Sequence, residues 1–117
     1  MVVHRHPCGG TDHFWGQRVS AVALLLLGLW FVVQLATLSG FAHEDVVTFV
    51  VVPHNRILLS LLCVALAYHS NLGVQVVIED YVHAAGLHRF SLIVSRIAHL
   101  LVAVLSVYAV FAIGVGA

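Results

Sequence analysis

Two histidines lie deep inside apolar stretches of the sequence, where an ionisable side chain is costly. His69 stands 12 positions after Ile57 and 11 residues before the polar pair Asp80 and Tyr81, and His99 stands nine residues after Phe90. At 1.5 Å per helical residue, His69 lies about 16 Å from the polar pair. Ionisable residues at such a depth in a bilayer usually mark a functional site that faces the bundle interior.

The chemistry best suited to His69 is ligation of a metal. A neutral imidazole can bind iron through one ring nitrogen while an acceptor holds the other nitrogen, as in the haem sites of membrane cytochromes. Gly73 follows one turn later on the same helix face, and its missing side chain leaves room for a flat macrocycle. The spacing alone leaves two interpretations of His69 open, a ligand of haem iron and a structural histidine that hydrogen-bonds a neighbouring helix.

His99 is a competing ligand because its depth, about 14 Å from Phe90, nearly matches that of His69. A haem held by two histidines of one chain is compatible with these depths. Arg96 precedes His99 by three residues and could hold a haem propionate or a lipid phosphate, or it could extend toward the membrane surface.

The composition places these residues in a lipid bilayer. The 117 residues are 62% hydrophobic and 9% charged, against about one half and about one quarter in an ordinary soluble domain. Such a length allows roughly three spans of about 20 residues and leaves no separate soluble catalytic domain. We expect any redox or hydrolytic chemistry to be embedded in the membrane or shared with partners.

Three apolar runs are long enough to cross, at about 19–38, 57–78 and 90–113. They predict an all-α membrane protein with a single transmembrane domain over residues 1–117. The first run is too long for a typical signal peptide, so we expect it to be retained. Residues 39–56, in which Pro53 is a helix breaker, and residues 79–89 are predicted to be loops.

The arginines predict the orientation of these spans. Arg5 and Arg18 precede the first span and Arg89 precedes the third, whereas Arg56 alone lies on the opposite side. The bias toward positive charge on the cytoplasmic side predicts a cytoplasmic N-terminus and a C-terminus on the opposite side.

Charge and cysteine content exclude several other functions. Five arginines are balanced by five carboxylates, so the formal net charge is +0, and no basic face is left for a nucleic acid. Cys8 and Cys63 are expected at different depths and are predicted to be unpaired. The irregular spacing of His4, His6 and His13 predicts no defined metal site.

The segment HSNLGVQVVIEDYVH, from His69 to His83, resembles the signature of the hydrophobic membrane-anchor subunits of succinate dehydrogenase. It is specifically similar to the smaller, D-type anchor of bacterial respiratory complex II. In that family a histidine of the second span ligates haem b, and an Asp-Tyr pair follows 11 and 12 residues later. His69, Asp80 and Tyr81 reproduce this spacing.

A second similarity lies at the start of the first span, where FWGQRVSA places Arg18 at the arginine position of the family. The two motifs and the three-helix plan cover most of the chain. Residues 39–53 and those from position 100 onward match only as a loop and an apolar helix.

The resemblance implies a subunit that shares haem b and a quinone site with a second hydrophobic anchor of the cytochrome b556 type. His69 would be the axial ligand, Arg18 would contact a haem propionate or a lipid headgroup, and Tyr81 would donate its hydroxyl to a quinone carbonyl. Asp80 would orient an arginine of the partner anchor and help to relay protons. Since 11 residues at about 100° per residue return to within about 20°, Asp80 should face the same partner as His69.

The resemblance further implies an iron–sulfur subunit and a flavoprotein subunit as partners, and the bacterial inner membrane in preference to the mitochondrial one. The chain has no Gly-rich dinucleotide fingerprint and no cysteine cluster, so we expect succinate oxidation to occur in those other subunits. Two alternatives stay open. One is a stand-alone small b-type cytochrome with His69 and His99 as both ligands, and the other is a structural subunit without haem or quinone.

Overall fold

The computed structural model describes residues 9–116 and folds them into four α-helices without a strand in that range. The helices are α1 (Gly9–Thr37), α2 (His43–Val51), α3 (Pro53–Tyr81) and α4 (Ala85–Gly114). α1, α3 and α4 are long and apolar enough to cross a membrane, which confirms the predicted all-α fold with three spans. At 29 or 30 residues, each is about 45 Å long and exceeds a hydrocarbon core of about 30 Å.

The prediction of a loop over residues 39–56 is wrong in part, because this segment contains α2 and the first turn of α3. The Asp45 carboxylate accepts a hydrogen bond from the Ala42 backbone N–H at 3.1 Å and so satisfies one donor at the start of α2. Val50 anchors the other end of α2, since it is only 3% exposed.

Pro53 separates α2 from α3, as a helix breaker does, and it also begins α3. Val52 before it is extended, with φ −65° and ψ 122°, as is typical of a residue that precedes proline. Pro53 stands in the first turn of the helix, where the missing N–H of proline has no intrahelical partner to lose and its fixed φ favours the helix. Buried Asn55 then donates from Nδ2 to the Phe49 carbonyl at 3.1 Å, which ties the start of α3 to α2.

The second predicted loop, residues 79–89, is also shorter than expected. α3 continues through Tyr81 and α4 begins at Ala85, so only residues 82–84 connect the two helices. His88 Nδ1 lies 3.0 Å from the Val82 carbonyl and, since a carbonyl can only accept, donates to it. This bond holds the tight connection, and the polar residues 79–81 therefore belong to a rigid helix end.

α3 is the central helix of the described chain. It packs against α1 and α4, whose backbones do not approach each other within residues 9–116. The contact with α1 is close at Gly16, where a Cβ atom would stand 2.5 Å from the Tyr68 hydroxyl oxygen. A small residue at such a contact lets two spanning helices approach. Large apolar residues such as Leu25 and Leu105 are 70% and 62% exposed, as lipid-facing or partner-facing residues would be.

Candidate functional site

His69 is half-buried at mid-length of α3 and contacts α1 through one ring nitrogen. Its Nδ1 lies 2.9 Å from Ser20 Oγ, and Ser20 is only 6% exposed. The Ser20 hydroxyl is also positioned to donate to the Gln17 carbonyl at 3.1 Å. Within residues 9–116 the other ring nitrogen, Nε2, has no hydrogen-bond partner. The imidazole is thus held on one side and open on the other.

Arg18 is the second predicted site residue on this side of α3. Arg18 and His69 line the same small cavity, of about 190 Å³, together with Phe14, Gln17 and Ala21. The Arg18 guanidinium carbon stands 4.8 Å from the centroid of the Phe14 ring, a cation–π contact that keeps the charged group near the start of α1. The structure therefore brings two predicted site residues together across the contact between α1 and α3.

A strip of α3 that starts at His69 is not covered by the other helices. A Cβ atom built on Gly73 would meet nothing within 4 Å, Val77 is 56% exposed, and Asp80 is exposed. Because α3 is continuous to Tyr81, helix geometry puts Asp80 within about 20° of His69 and about 16 Å along the axis. We call this strip, defined by His69, Gly73, Val77 and Asp80, the uncovered face.

At the polar end of α3, some side chains lie toward α1 and others are exposed. Glu79 accepts a hydrogen bond from Gln75 Nε2 at 2.9 Å, and both residues line a cavity that includes His13 of α1. Asp80 and Tyr81 make no hydrogen bond within residues 9–116, and Tyr81 is 79% exposed. The two residues predicted to act on a quinone are therefore the ones that this end of the helix leaves available.

His99 belongs to a different cluster, between α3 and α4. Its Nδ1 lies 2.8 Å from the Ser95 carbonyl, so Nδ1 carries the proton, because a carbonyl can only accept. Its Nε2 lies 3.1 Å from Ser70 Oγ and accepts the serine proton. Ser95 in turn contacts Asn71 across the two helices at 3.5 Å. Both ring nitrogens of His99 are thus used inside the chain.

The cavity beside His99 is also distinct from that of His69. It measures about 230 Å³, and its lining includes Arg96, His99, Asn71 and Tyr68 but not His69. The two deep histidines therefore line different cavities. The sequence suggested His99 as a ligand from its depth alone, and depth does not reveal its serine partners on α3 and α4.

His4, His6 and Cys8 lie outside the described residues, and His13 is exposed on α1. Among residues 9–116 no group of three or more histidine, cysteine or acidic side chains could hold a metal ion. Cys63 is a free thiol, as predicted.

These features define an integral membrane protein with three spanning helices, of which the central one carries a histidine at mid-length and a polar end. The family model for the succinate dehydrogenase/fumarate reductase transmembrane subunit matches residues 3–113. The chain belongs to this family.

Individual relatives carry the same description. The chain is 31% identical to a succinate dehydrogenase hydrophobic membrane anchor subunit from Paracoccus denitrificans. The alignment spans 108 residues, which are 92% of this chain and 83% of the relative. The chain is 30% identical to the corresponding subunit of Rickettsia bellii, over 87% of this chain and 82% of the relative. A succinate dehydrogenase membrane anchor subunit of Reclinomonas americana is 30% identical over 75% of this chain and 76% of that protein.

The family match and the three spans establish the coarse role of the chain. It is a multi-pass membrane anchor, and an anchor subunit implies partner subunits in a complex. A bacterial inner membrane fits the relatives from Paracoccus and Rickettsia.

Proposed function

We propose that this chain anchors a succinate:quinone oxidoreductase, in which it shares haem b and the quinone-reduction site with a second hydrophobic anchor subunit. The observation that supports this most directly is the uncovered face of α3. It begins at an imidazole with an open nitrogen and ends at an exposed carboxylate. An ionisable side chain such as His69 at mid-depth in a membrane usually faces a protein surface or a polar cavity.

The residues on this face fit a haem b. His69 Nε2 has no hydrogen-bond partner in the described residues and would be the axial ligand. Gly73 leaves the space beside the ligand open, and Arg18, in the same cavity as His69, would pair with a propionate. When bound, haem accepts and releases single electrons.

Any further residue that binds the haem would come from the partner anchor. His99 has no open nitrogen in its Ser70 and Ser95 contacts, and it lines a different cavity from His69. These contacts favour the shared site over the alternative of a stand-alone cytochrome in which His69 and His99 bind one haem.

The quinone would bind at the end of α3. The exposed Tyr81 hydroxyl would donate a hydrogen bond to a quinone carbonyl oxygen and stabilise the negative charge that develops there. Reduction of a quinone also consumes two protons. The neighbouring Asp80 carboxylate would orient an arginine of the partner anchor and pass protons from the membrane surface.

The proposed orientation places this end of α3 on the cytoplasmic side. With a cytoplasmic N-terminus, α1 leads outward, α3 returns to the cytoplasmic surface at Tyr81, and α4 leads outward again. The iron–sulfur subunit would dock near Asp80 and Tyr81 and carry the flavoprotein subunit, where succinate is oxidised.

The test is purification through a tag on this chain, followed by identification of the bound subunits and a reduced-minus-oxidised spectrum. We expect a flavoprotein, an iron–sulfur protein and a second hydrophobic subunit to co-purify with a b-type haem. His69→Ala should remove the haem spectrum, and His99→Ala, the matched control at similar depth, should retain it. Haem lost in both variants would favour the intrachain bis-histidine site. Unchanged haem in His69→Ala would overturn the proposed ligation.

A further inference from the structure

Ser20 is the one side chain of α1 that hydrogen-bonds His69. It is buried, at 6% exposure, and its Oγ lies 2.9 Å from His69 Nδ1. We propose that Ser20 is a positioning residue that fixes the proton of His69 on Nδ1 and so keeps the Nε2 lone pair available for iron. This inference rests on the proposed haem ligation by His69.

The single proton of the Ser20 hydroxyl limits where the proton of His69 can lie. The hydroxyl has one proton and can accept through its lone pairs. In its observed position it donates the proton to the Gln17 carbonyl, one turn earlier in α1, at 3.1 Å. Its bond to His69 is then one that it accepts, so His69 Nδ1 must carry the N–H.

A neutral imidazole has only one N–H, so a proton on Nδ1 leaves a lone pair on Nε2. The opposite arrangement, in which Ser20 donates to Nδ1, would put the proton on Nε2 and block ligation. The carbonyl of Gln17 therefore decides the direction of the chain of hydrogen bonds from His69 through Ser20. Partners that hold the second nitrogen of a ligating histidine commonly fix its tautomer and ring orientation in this way.

The packing of α1 against α3 keeps this bond in place. Gly16 precedes Ser20 by one turn and allows Tyr68, the neighbour of His69, to pack closely against α1. Arg18, two residues before Ser20, lines the cavity beside His69. The same segment of α1 therefore contacts both the imidazole and the space next to it, and a rotation of the His69 ring would break the Ser20 bond.

The experiment compares Ser20→Ala with Ser20→Thr in the purified complex. Ser20→Thr keeps the hydroxyl, and Ser20→Ala removes it. Ser60→Ala is the matched control, because Ser60 also donates to a backbone carbonyl of its own helix, that of Arg56 at 2.8 Å, and has no side-chain partner within residues 9–116. The measurements are haem affinity, the midpoint potential of the haem and the low-spin electron paramagnetic resonance spectrum.

We expect Ser20→Ala to weaken haem binding about tenfold, the lower end of the usual effect of such partners. We also expect a higher midpoint potential and an altered low-spin spectrum, because an imidazole without its acceptor donates less charge to iron and can rotate. Ser20→Thr should restore all three properties. If Ser20→Ala prevents assembly, Ser20→Cys takes its place, since a thiol is a weak acceptor of similar size.

Two results would overturn the inference. One is a Ser20→Ala complex with the haem affinity, potential and spectrum of Ser60→Ala, and the other is a Ser20→Thr complex that fails in the same way as Ser20→Ala. Either result combined with loss of haem in His69→Ala would leave the proposed function intact. Retention of haem in His69→Ala would instead refute the proposed ligation itself.

Discussion

α3 contributes to two polar clusters deep in the membrane, one toward α1 and one toward α4. In each cluster the Nδ1 atom of a histidine has a hydrogen-bond partner. In the cluster with α4, Ser70 also occupies Nε2 of His99, whereas Nε2 of His69 has no partner within residues 9–116. Two histidines at similar depth in the bilayer therefore differ in how many of their nitrogens are bonded within the chain.

The difference shows how a polar group in a membrane can be assigned to packing or to function. A histidine whose two nitrogens are both bonded within its own chain stabilises helix packing, and measured bonds of this kind are worth about 0.6 kcal/mol on average. A histidine with one nitrogen open has a bonding capacity that its own chain does not use. The uncovered face of α3 is the side on which this capacity is left.

The largest effect is expected at the end of the uncovered face. Tyr81→Phe removes the hydroxyl that would bind a quinone carbonyl, and the rate of quinone reduction should fall about a hundredfold, as for the loss of one donor to a developing oxyanion. Oxidation of succinate with an artificial electron acceptor should be unchanged. Tyr108→Phe is the matched control, because Tyr108 is a similarly exposed tyrosine, at 71%, near the C-terminal end of α4. Equal rates in both variants would exclude the hydroxyl of Tyr81 from the reaction.

Each of the two deep histidines lines a cavity together with one arginine. Arg18 shares a cavity with His69 and Arg96 shares one with His99. Arg18→Gln should weaken haem binding about tenfold by loss of a charged pair of about 1.4 kcal/mol, and Arg96→Gln should leave it unchanged. Haem titration of both variants measures this. Weaker binding in Arg96→Gln alone would place the haem on the opposite side of α3.

Gly73 provides a steric test of the uncovered face. Gly73→Ala and Gly73→Leu fill space that is open in this chain, so neither should disturb the packing of α3 with α1 and α4. In the complex, a side chain at this position would compete with the haem or the partner anchor, and overpacking costs about 1–3 kcal/mol. The haem content of the purified complex should therefore be highest with Gly73, lower in Gly73→Ala and lowest in Gly73→Leu. Equal haem content in the three proteins would show that nothing approaches this part of α3.

The smallest effect is expected in the cluster between α3 and α4. Ser70→Ala removes the bond to His99 Nε2 and should lower the free energy of unfolding by about 0.6 kcal/mol, without a change in the haem spectrum. Denaturation of the complex compared with Ser60→Ala gives the measurement. A changed haem spectrum in Ser70→Ala would break the distinction between the two clusters.

The sequence predicts the three spans well, because 62% hydrophobic content leaves few places for loops. It underestimates the helix lengths, since hydropathy marks the apolar part of a span and polar residues such as Glu79 and Asp80 continue the helix. It does not predict α2, because a helix of nine residues is too short to be a span and its acidic first turn indicates a loop. Pro53 separates the two helices and stands in the first turn of α3, where proline is favoured.

The residues of the candidate site could be selected from the sequence, but their partners could not. The spacing of His69, Asp80 and Tyr81 is local and survives in the continuous helix α3. The contact of Ser20 with His69 joins positions 49 residues apart, and no local pattern encodes it. The same limit applies to His99, because its contact with Ser70 joins positions 29 residues apart and cannot be inferred from a local pattern.

The uncovered face of α3 also has a consequence for the subunit in the cell. A newly inserted copy without its complex would expose the half-buried imidazole of His69 and the open space at Gly73 to acyl chains, and an ionisable group in that surrounding is costly. We expect membrane proteases that degrade unassembled subunits to recognise this exposed surface. We expect the chain to turn over rapidly when its partner anchor is deleted, and pulse–chase labelling of the two strains would measure the difference in half-life.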